Sequence, residues 1–282
     1  MNHRYWAGVI QLDTNESYNE NLNMACELIA EGASRGAKIL TLPENWTYQG
    51  NDYLDYAEEM PGGILFQTLS SLAEKYGVWI HSGSSSEKNP DSQDHRPFNT
   101  SMLIAPDGTL RAKYRKIHGF NVDVEGAGSY RERDHKKPGD DLVVVDTELG
   151  KLGLSICYDM RFPELYRLMA LDGADIFFAP SSFLLMTGKD HWDVLLRARA
   201  IENSCYVLAA AQCGVKYDGP TYGRSIIVDP WGNVIARASD KPCVILGEID
   251  MEYRQKIKRQ VLTLENRRED VYTLVRNQTL QN

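Results

Sequence analysis

The sequence has no run of about 18 apolar residues, the length a membrane-crossing helix needs. Its best stretch, Ile176 to Gly188, is shorter and is interrupted by Pro180. The N-terminal Met1-Asn-His-Arg-Tyr-Trp6 has no apolar segment and no small-residue cleavage site, so no signal peptide is expected. Positive charge is scarce: 31 Lys and Arg face 39 Asp and Glu, a net charge of −8. That balance argues against a nucleic-acid partner and against docking on an anionic membrane, both of which need a basic face. Cysteine is sparse too. Cys26, Cys157, Cys205, Cys213 and Cys243 are odd in number, widely spaced and free of any C-x-x-C. They read as reduced thiols of a cytoplasmic protein rather than as a disulfide framework. The six histidines are scattered, with no H-E-x-x-H or H-x-H, so no metal site is expected.

Three common nucleotide and hydrolase signatures also fail. Gly126-Ala-Gly128 carries Arg131 where a dinucleotide-binding turn needs its third glycine, and it does not follow a strand. Gly188-Lys189 is followed by Asp190, and Phe183 stands where a P-loop needs glycine. Gly153-Leu-Ser155-Ile-Cys157 lacks the last glycine of a serine-hydrolase elbow, which makes Ser155 a poor nucleophile.

What is present is ordinary for a globular chain: 282 residues, 43% hydrophobic and 25% charged. At about 150 residues per domain the length allows one large domain or two small ones. No linker-like boundary or repeat appears, which favours one. Strand-like and helix-like segments alternate. Trp6 to Leu12, Lys38 to Leu42, Val78 to Gly83, Thr100 to Ala105 and Ala112 to Tyr114 read as strands. So do Leu142 to Val145, Gly153 to Ile156, Ile176 to Ala179, Tyr206 to Ala211, Ser225 to Val228 and Val244 to Ile249. Tyr18 to Ser34, Leu65 to Tyr76, Pro163 to Leu171 and His191 to Glu202 read as helices. Lys116 to Asp141 has no clean period and reads as a long, polar, functional loop. The pattern predicts mixed sheets covered by helices in an α/β layered domain.

Three reactive groups fall at strand ends, where ligand sites of layered α/β proteins lie. Cys157 ends a buried strand, with Pro163 opening a helix soon after. A cysteine is more often a small buried hydrophobe, but a thiol near a helix N-terminus is expected to have a lowered pKa. Glu44 follows the apolar Ile39-Leu-Thr-Leu42 run, where a solvated loop carboxylate is the ordinary reading. Lys116 lies in the basic stretch Lys113-Tyr-Arg-Lys116-Ile-His118, which is either a solvated loop or a seat for an anionic substrate. No spacing rule joins the three.

Taken together, these segments resemble the nitrilase superfamily of carbon–nitrogen hydrolases. The resemblance rests on Leu42-Pro-Glu44-Asn, Tyr114-Arg-Lys116-Ile-His118, Cys157-Tyr-Asp-Met-Arg161-Phe-Pro-Glu164, Pro180-Ser-Ser-Phe183 and the stretch from His191-Trp192 to Asn203. Gly223-Arg-Ser225 and Asp229-Pro-Trp-Gly232 extend it over nearly the whole chain. Thr187 to Trp192 and Ala209 to Gly214 look nearest the deaminated-glutathione amidase and omega-amidase branch.

The resemblance implies a four-layer α-β-β-α sandwich. Residues 1–264 would form one hydrolase domain and residues 265–282 a mixed-charge tail packing at a subunit interface. It implies a homodimer or larger homo-oligomer, no cofactor, and a small-molecule amide as substrate. Glu44, Lys116 and Cys157 would be the catalytic residues, with Glu132 as a second active-site glutamate. Lys116 and the Tyr158 backbone N–H would hold the oxyanion. Arg161, Tyr130 and Phe183 are candidates for binding substrate; Arg161 would pair the substrate's carboxylate or, in the plainer role, serve in an internal salt bridge instead. The implied activity is a thiol-dependent amidase acting through a cysteine thioester. Deaminated glutathione is the first substrate expected, then 2-oxoglutaramate or succinamate. A nitrilase, an acyltransferase or a catalytically inactive binding member of the fold are the alternatives.

Overall fold

The computed structural model describes residues 4–124, 128–217 and 219–276. Its first half runs β1 (Arg4–Gln11), α1 (Tyr18–Ser34), β2 (Ala37–Thr41), α2 (Ile64–Tyr76), β3 (Trp79–His81), β4 (Ser85–Glu87), β5 (Phe98–Ile104) and β6 (Leu110–Arg115). A hairpin of β7 (Asn121–Val124) and β8 (Gly128–Arg131) follows, then β9 (Val144–Thr147) and β10 (Gly150–Leu154). The second half runs α3 (Pro163–Leu171), β11 (Ile176–Phe178), α4 (Leu185–Asn203), β12 (Tyr206–Ala209), β13 (Val215–Lys216) and β14 (Gly219–Pro220). It closes with β15 (Ile226–Val228), β16 (Val234–Arg237), β17 (Cys243–Asp250) and α5 (Met251–Gln260).

Local chemistry sets several boundaries. The Ser17 side chain accepts the Glu20 N–H at the start of α1, and Ala25 and Ile29 lie buried on its inner stripe. Pro163 occupies the first turn of α3, where its missing N–H costs nothing. Asp250 caps α5 through the Tyr253 N–H at 2.9 Å, and Arg254 and Ile257 are buried from it. The helix read from His191 begins earlier, at Leu185. Gly188, which lowered the helical signal there, is needed for packing: a Cβ at that position would lie 2.4 Å from Tyr222 Cβ.

The strands form two principal sheets. The seven-stranded sheet runs β17-β1-β2-β3-β5-β4, with β6 paired to β5. The six-stranded sheet runs β16-β15-β12-β11-β10-β9. Strand periodicity sorts the first sheet into two faces. Ala7, Val9, Ile39 and Leu103 join the large core with Leu152, Leu154, Phe177 and Phe178 of the second sheet. Ile10, Leu40, Met102 and Ile104 pack with Ala25, Ile29, Leu65 and Leu69 of α1 and α2. The large core continues through the second sheet to Leu165, Met169, Trp192 and Leu196 of α3 and α4. The layers are therefore α-β-β-α, the order the resemblance implied.

The segment from Lys116 to Asp141 is not the unstructured loop its composition suggests. It contains the β7–β8 hairpin and a 3-10 turn, Glu132–Asp134, whose Glu132 is buried. The hairpin pairs only with itself, so neither strand carries the alternation of a half-buried strand. The near-glycine motif beginning at Gly126 lies partly outside the described residues. Among the described residues no helix is long and apolar enough to cross a membrane.

Candidate active site

β2 runs parallel to β1 in one sheet and β10 parallel to β11 in the other, and the loops after β2 and β11 meet where Ser182 N–H reaches Glu44. Glu44 stands three residues beyond β2, and Cys157 three beyond β10. Lys116 directly follows β6. Its backbone is fixed by Lys116 N to Asn99 O at 2.9 Å and Gly139 N to Lys116 O at 2.8 Å. The Leu42-Pro43 backbone just before Glu44 is closely approached by Gly83 (φ +66°): a Cβ there would lie 2.1 Å from Pro43 O. Asn45 (φ 49°) and Cys157 (φ 47°) both hold left-handed backbone without being glycine. Such strain collects at functional sites.

Lys116 Nζ lies 2.8 Å from Glu44 Oε1 and 2.8 Å from Glu132 Oε2. Asn99 Nδ2 donates to Glu44 Oε1 at 3.0 Å and to Glu132 Oε1 at 3.4 Å. Ser182 N–H donates to Glu44 Oε2 at 2.9 Å and Phe120 N–H to Glu132 Oε2 at 2.6 Å. Gln212 Nε2 braces the Glu44 carbonyl at 3.1 Å. Glu44, Lys116, Glu132 and Cys157 are all at most 7% exposed.

The electrostatics follow from burial and an uneven charge count. Burial pulls the Lys116 ammonium down, but Glu132 and Glu44 outweigh it and push its pKa well above the usual lysine value. Burial would raise Glu132; the neighbouring Lys116 instead holds it below the usual carboxylate range. Burial and then the Glu44 charge, with a hydrogen bond to Glu44, push the Cys157 thiol well up, and Lys116 only partly opposes them. This corrects the expectation of a thiol lowered by a helix N-terminus. Cys157 opens a short 3-10 turn (Cys157–Arg161), not α3, and a carboxylate faces it.

Asp159, fully buried, locks that turn. It accepts from Ile156 N at 2.8 Å, Tyr114 Oη at 2.7 Å and His118 N at 3.1 Å. Tyr158 N–H lies in the first turn, where backbone donors lack partners inside the turn. Ser155 is spent structurally, with its hydroxyl 2.6 Å from Tyr166 Oη and 2.7 Å from Phe178 O.

The candidate substrate-binding residues are less tightly gathered. Arg161 makes no salt bridge among the described residues. Its guanidinium meets His191 Nδ1 at 3.3 Å and lies 5.2 Å over Phe183 and 5.7 Å over Tyr158. Phe183 is buried edge-on against Trp192 at 5.5 Å. Tyr130 is placed on β8, and its side chain lies outside the described residues. Asn99 and Gln212 were not singled out in the sequence. An asparagine inside a strand-like run is unusual enough to have marked Asn99; Gln212 carried no signal. Among the described residues no group of three or more His, Cys, Asp or Glu could hold a metal ion.

Comparison with known proteins gives the family and the fold. The sequence matches the carbon–nitrogen hydrolase family over residues 6–259. It is 41% identical over 270 residues to a deaminated glutathione amidase of Mus musculus, covering 94% of this chain and 83% of that protein. It is 38% identical over 274 residues to an omega-amidase of Xenopus tropicalis, covering 96% and 98%. The C. elegans NitFhit protein superposes with a TM-score of 0.90 at 37% identity, over 96% of this chain and 66% of that one.

Proposed function

The chain belongs to the carbon–nitrogen hydrolase family, an enzyme of amide C–N bonds, and on that premise we propose that it cleaves a small carboxylate-bearing omega-amide, deaminated glutathione foremost. The observation that carries this reading is Lys116 held between Glu44 and Glu132 beside the Cys157 thiol. Glu44 takes the thiol proton as Sγ bonds to the amide carbonyl carbon. Lys116 and the Tyr158 N–H receive the oxyanion; one such donor is worth about 3–4 kcal/mol in the transition state. The C–N bond then breaks, and Glu44 returns the proton to the departing amine. Water, deprotonated by Glu44, opens the thioester and restores the thiol. Glu132 and Asn99 keep Lys116 and Glu44 in place throughout.

Omega-amidase activity on 2-oxoglutaramate or succinamate is the second reading, supported by the similarly high identity to the Xenopus enzyme. All five cysteines are free, which suits a reducing compartment such as the cytoplasm. Val194 and Ile201 of α4, 67% and 45% exposed, with the exposed Trp231, favour pairing with a second copy. A monomer by light scattering at micromolar concentration contradicts that pairing.

The test of function measures peptide release from deaminated glutathione and ammonia release from 2-oxoglutaramate, succinamate and a simple nitrile. Wild type is run against Cys157→Ala. Turnover confined to wild type, fastest on deaminated glutathione, is expected. Turnover that survives loss of Cys157 overturns the mechanism.

A further inference from the structure

A cavity of about 190 Å³ opens beside the buried carboxylates, lined by Asn45, Tyr53, Ser86, Glu132, Lys136 and Tyr217 among others. Glu132 belongs both to this cavity and to the Lys116 ion pair. Asn45 directly follows Glu44. The cavity therefore lies next to the catalytic carboxylates, and Lys136 stands on its wall.

Lys136 is held there by short-range contacts. Its N–H donates to Glu132 O at 2.7 Å. Its ammonium donates to Ser86 Oγ and lies 4.6 Å over the Tyr53 ring. Its neighbours Lys113, Arg115, Lys116 and Lys137 are each ion-paired to a carboxylate. Among the described residues, no carboxylate comes within ion-pair distance of Lys136. The side chain is recessed, so burial pushes its pKa down to about 8, with Glu132 opposing and Lys116 adding to the fall. An ammonium half removed from water, with no carboxylate in contact, is less favourable than a solvated one and is helped by an arriving anion. The other candidate cations are less well placed. Arg161 is engaged by His191 and the Phe183 ring, and Lys189 is 62% exposed beside Asp190.

We propose that Lys136 is the specificity-determining residue of this enzyme: it binds the substrate's free carboxylate in the cavity beside Glu132 and so selects omega-amides of dicarboxylic acids over neutral amides. This rests on the amidase reading above and deepens it. The ammonium donates to the carboxylate oxygens, and Tyr53 beneath it fixes its direction.

The experiment compares succinamate with butanamide, which has the same four-carbon acyl chain with a methyl group in place of the carboxylate. Wild type, Lys136→Met, Lys136→Arg and Arg161→Met are assayed for kcat and KM. A charge-assisted contact of this kind is lost at a factor of about 10 to 100. Lys136→Met is expected to raise KM for succinamate by that factor with kcat nearly unchanged and butanamide unaffected, and Lys136→Arg to restore most of the preference.

A second arm uses wild type alone. The preference for succinamate over butanamide is expected to fall between about pH 7 and about pH 9 as Lys136 loses its proton. Glu132, Glu44, Lys116, Tyr53 and His135 surround Lys136. Titration of the groups in the catalytic machinery acts on both substrates and cancels in the ratio. A preference that survives Lys136→Met, that disappears instead in Arg161→Met, or that stays flat with pH in wild type overturns the inference. Wild type that hydrolyses butanamide with no preference for succinamate overturns the inference alone. Wild type that hydrolyses deaminated glutathione but neither of these two amides also overturns the inference alone; wild type that hydrolyses none of the three overturns the amidase reading, and this inference with it.

Discussion

Two of the buried ion networks among the described residues are built on opposite plans. Arg254, 2% exposed, pairs with Asp175 at 2.5 Å and donates to Ser204 O and Ala174 O at 3.0 Å each. Asp175 in turn accepts Lys151 N–H at 2.8 Å. One positive charge meets one negative charge. At the other network a single ammonium, Lys116, faces two carboxylates, and a thiol stands beside them. Asn99 Oδ1 is buried there without a hydrogen-bond partner. The balanced network fastens α5 to the second sheet. The unbalanced one keeps its thiol protonated and a carboxylate ready to receive that proton. Net charge, rather than burial, separates the reactive site from the structural one.

The sharpest way to break the comparison is to remove one group from each network. Cys157→Ala is expected to lower kcat on the best substrate by about 10⁴-fold or more, as loss of a nucleophile does, with an unchanged melting curve. Lys116→Met is expected to lower kcat by at least about 10²-fold, the scale of an oxyanion donor, and to lower stability as well, since two buried carboxylates lose their partner. Arg254→Met is expected to cost about 3–5 kcal/mol of stability in urea unfolding, because Asp175 is left buried and unpaired. Its kcat/KM, measured while folded, should stay near wild type. An Arg254 variant with intact stability and lost activity would erase the distinction. The smallest effect is expected at Asn99. Asn99→Ala removes a donor shared by two carboxylates, so kcat should fall about 10- to 100-fold with KM little changed.

Some of this was legible in the chain alone. Tyr18–Ser34 and Pro163–Leu171 have the bounds that capping, periodicity and proline placement predict. The reactive residues Glu44, Lys116 and Cys157 each stand just past a strand, a local pattern visible without coordinates, although only the strands before Glu44 and Cys157 are apolar and buried at their ends. Their convergence depends on sheet order, which no spacing records. The β7–β8 hairpin was missed because it forms no core face. α5 was missed because a mostly charged helix buries little besides Arg254 and Ile257. The direction of the Cys157 shift was misread because the sequence places the thiol near a helix but cannot show Glu44 facing it. Lys136 was lost among the basic residues of its stretch, and only their ion pairs set it apart.

The measurement that tests the central claim most directly is the rate of Cys157 alkylation against pH, in wild type and in Glu44→Gln. Burial and the Glu44 charge both raise the thiol, and the hydrogen bond to Glu44 raises it further, while Lys116 lowers it. Removing the negative charge while keeping the shape therefore leaves Lys116 less opposed, and the thiol should ionise at lower pH. The account predicts that wild-type alkylation stays slow through neutral pH and that the Glu44→Gln profile moves to lower pH. A Glu44→Gln profile that stays in place or moves to higher pH would contradict it.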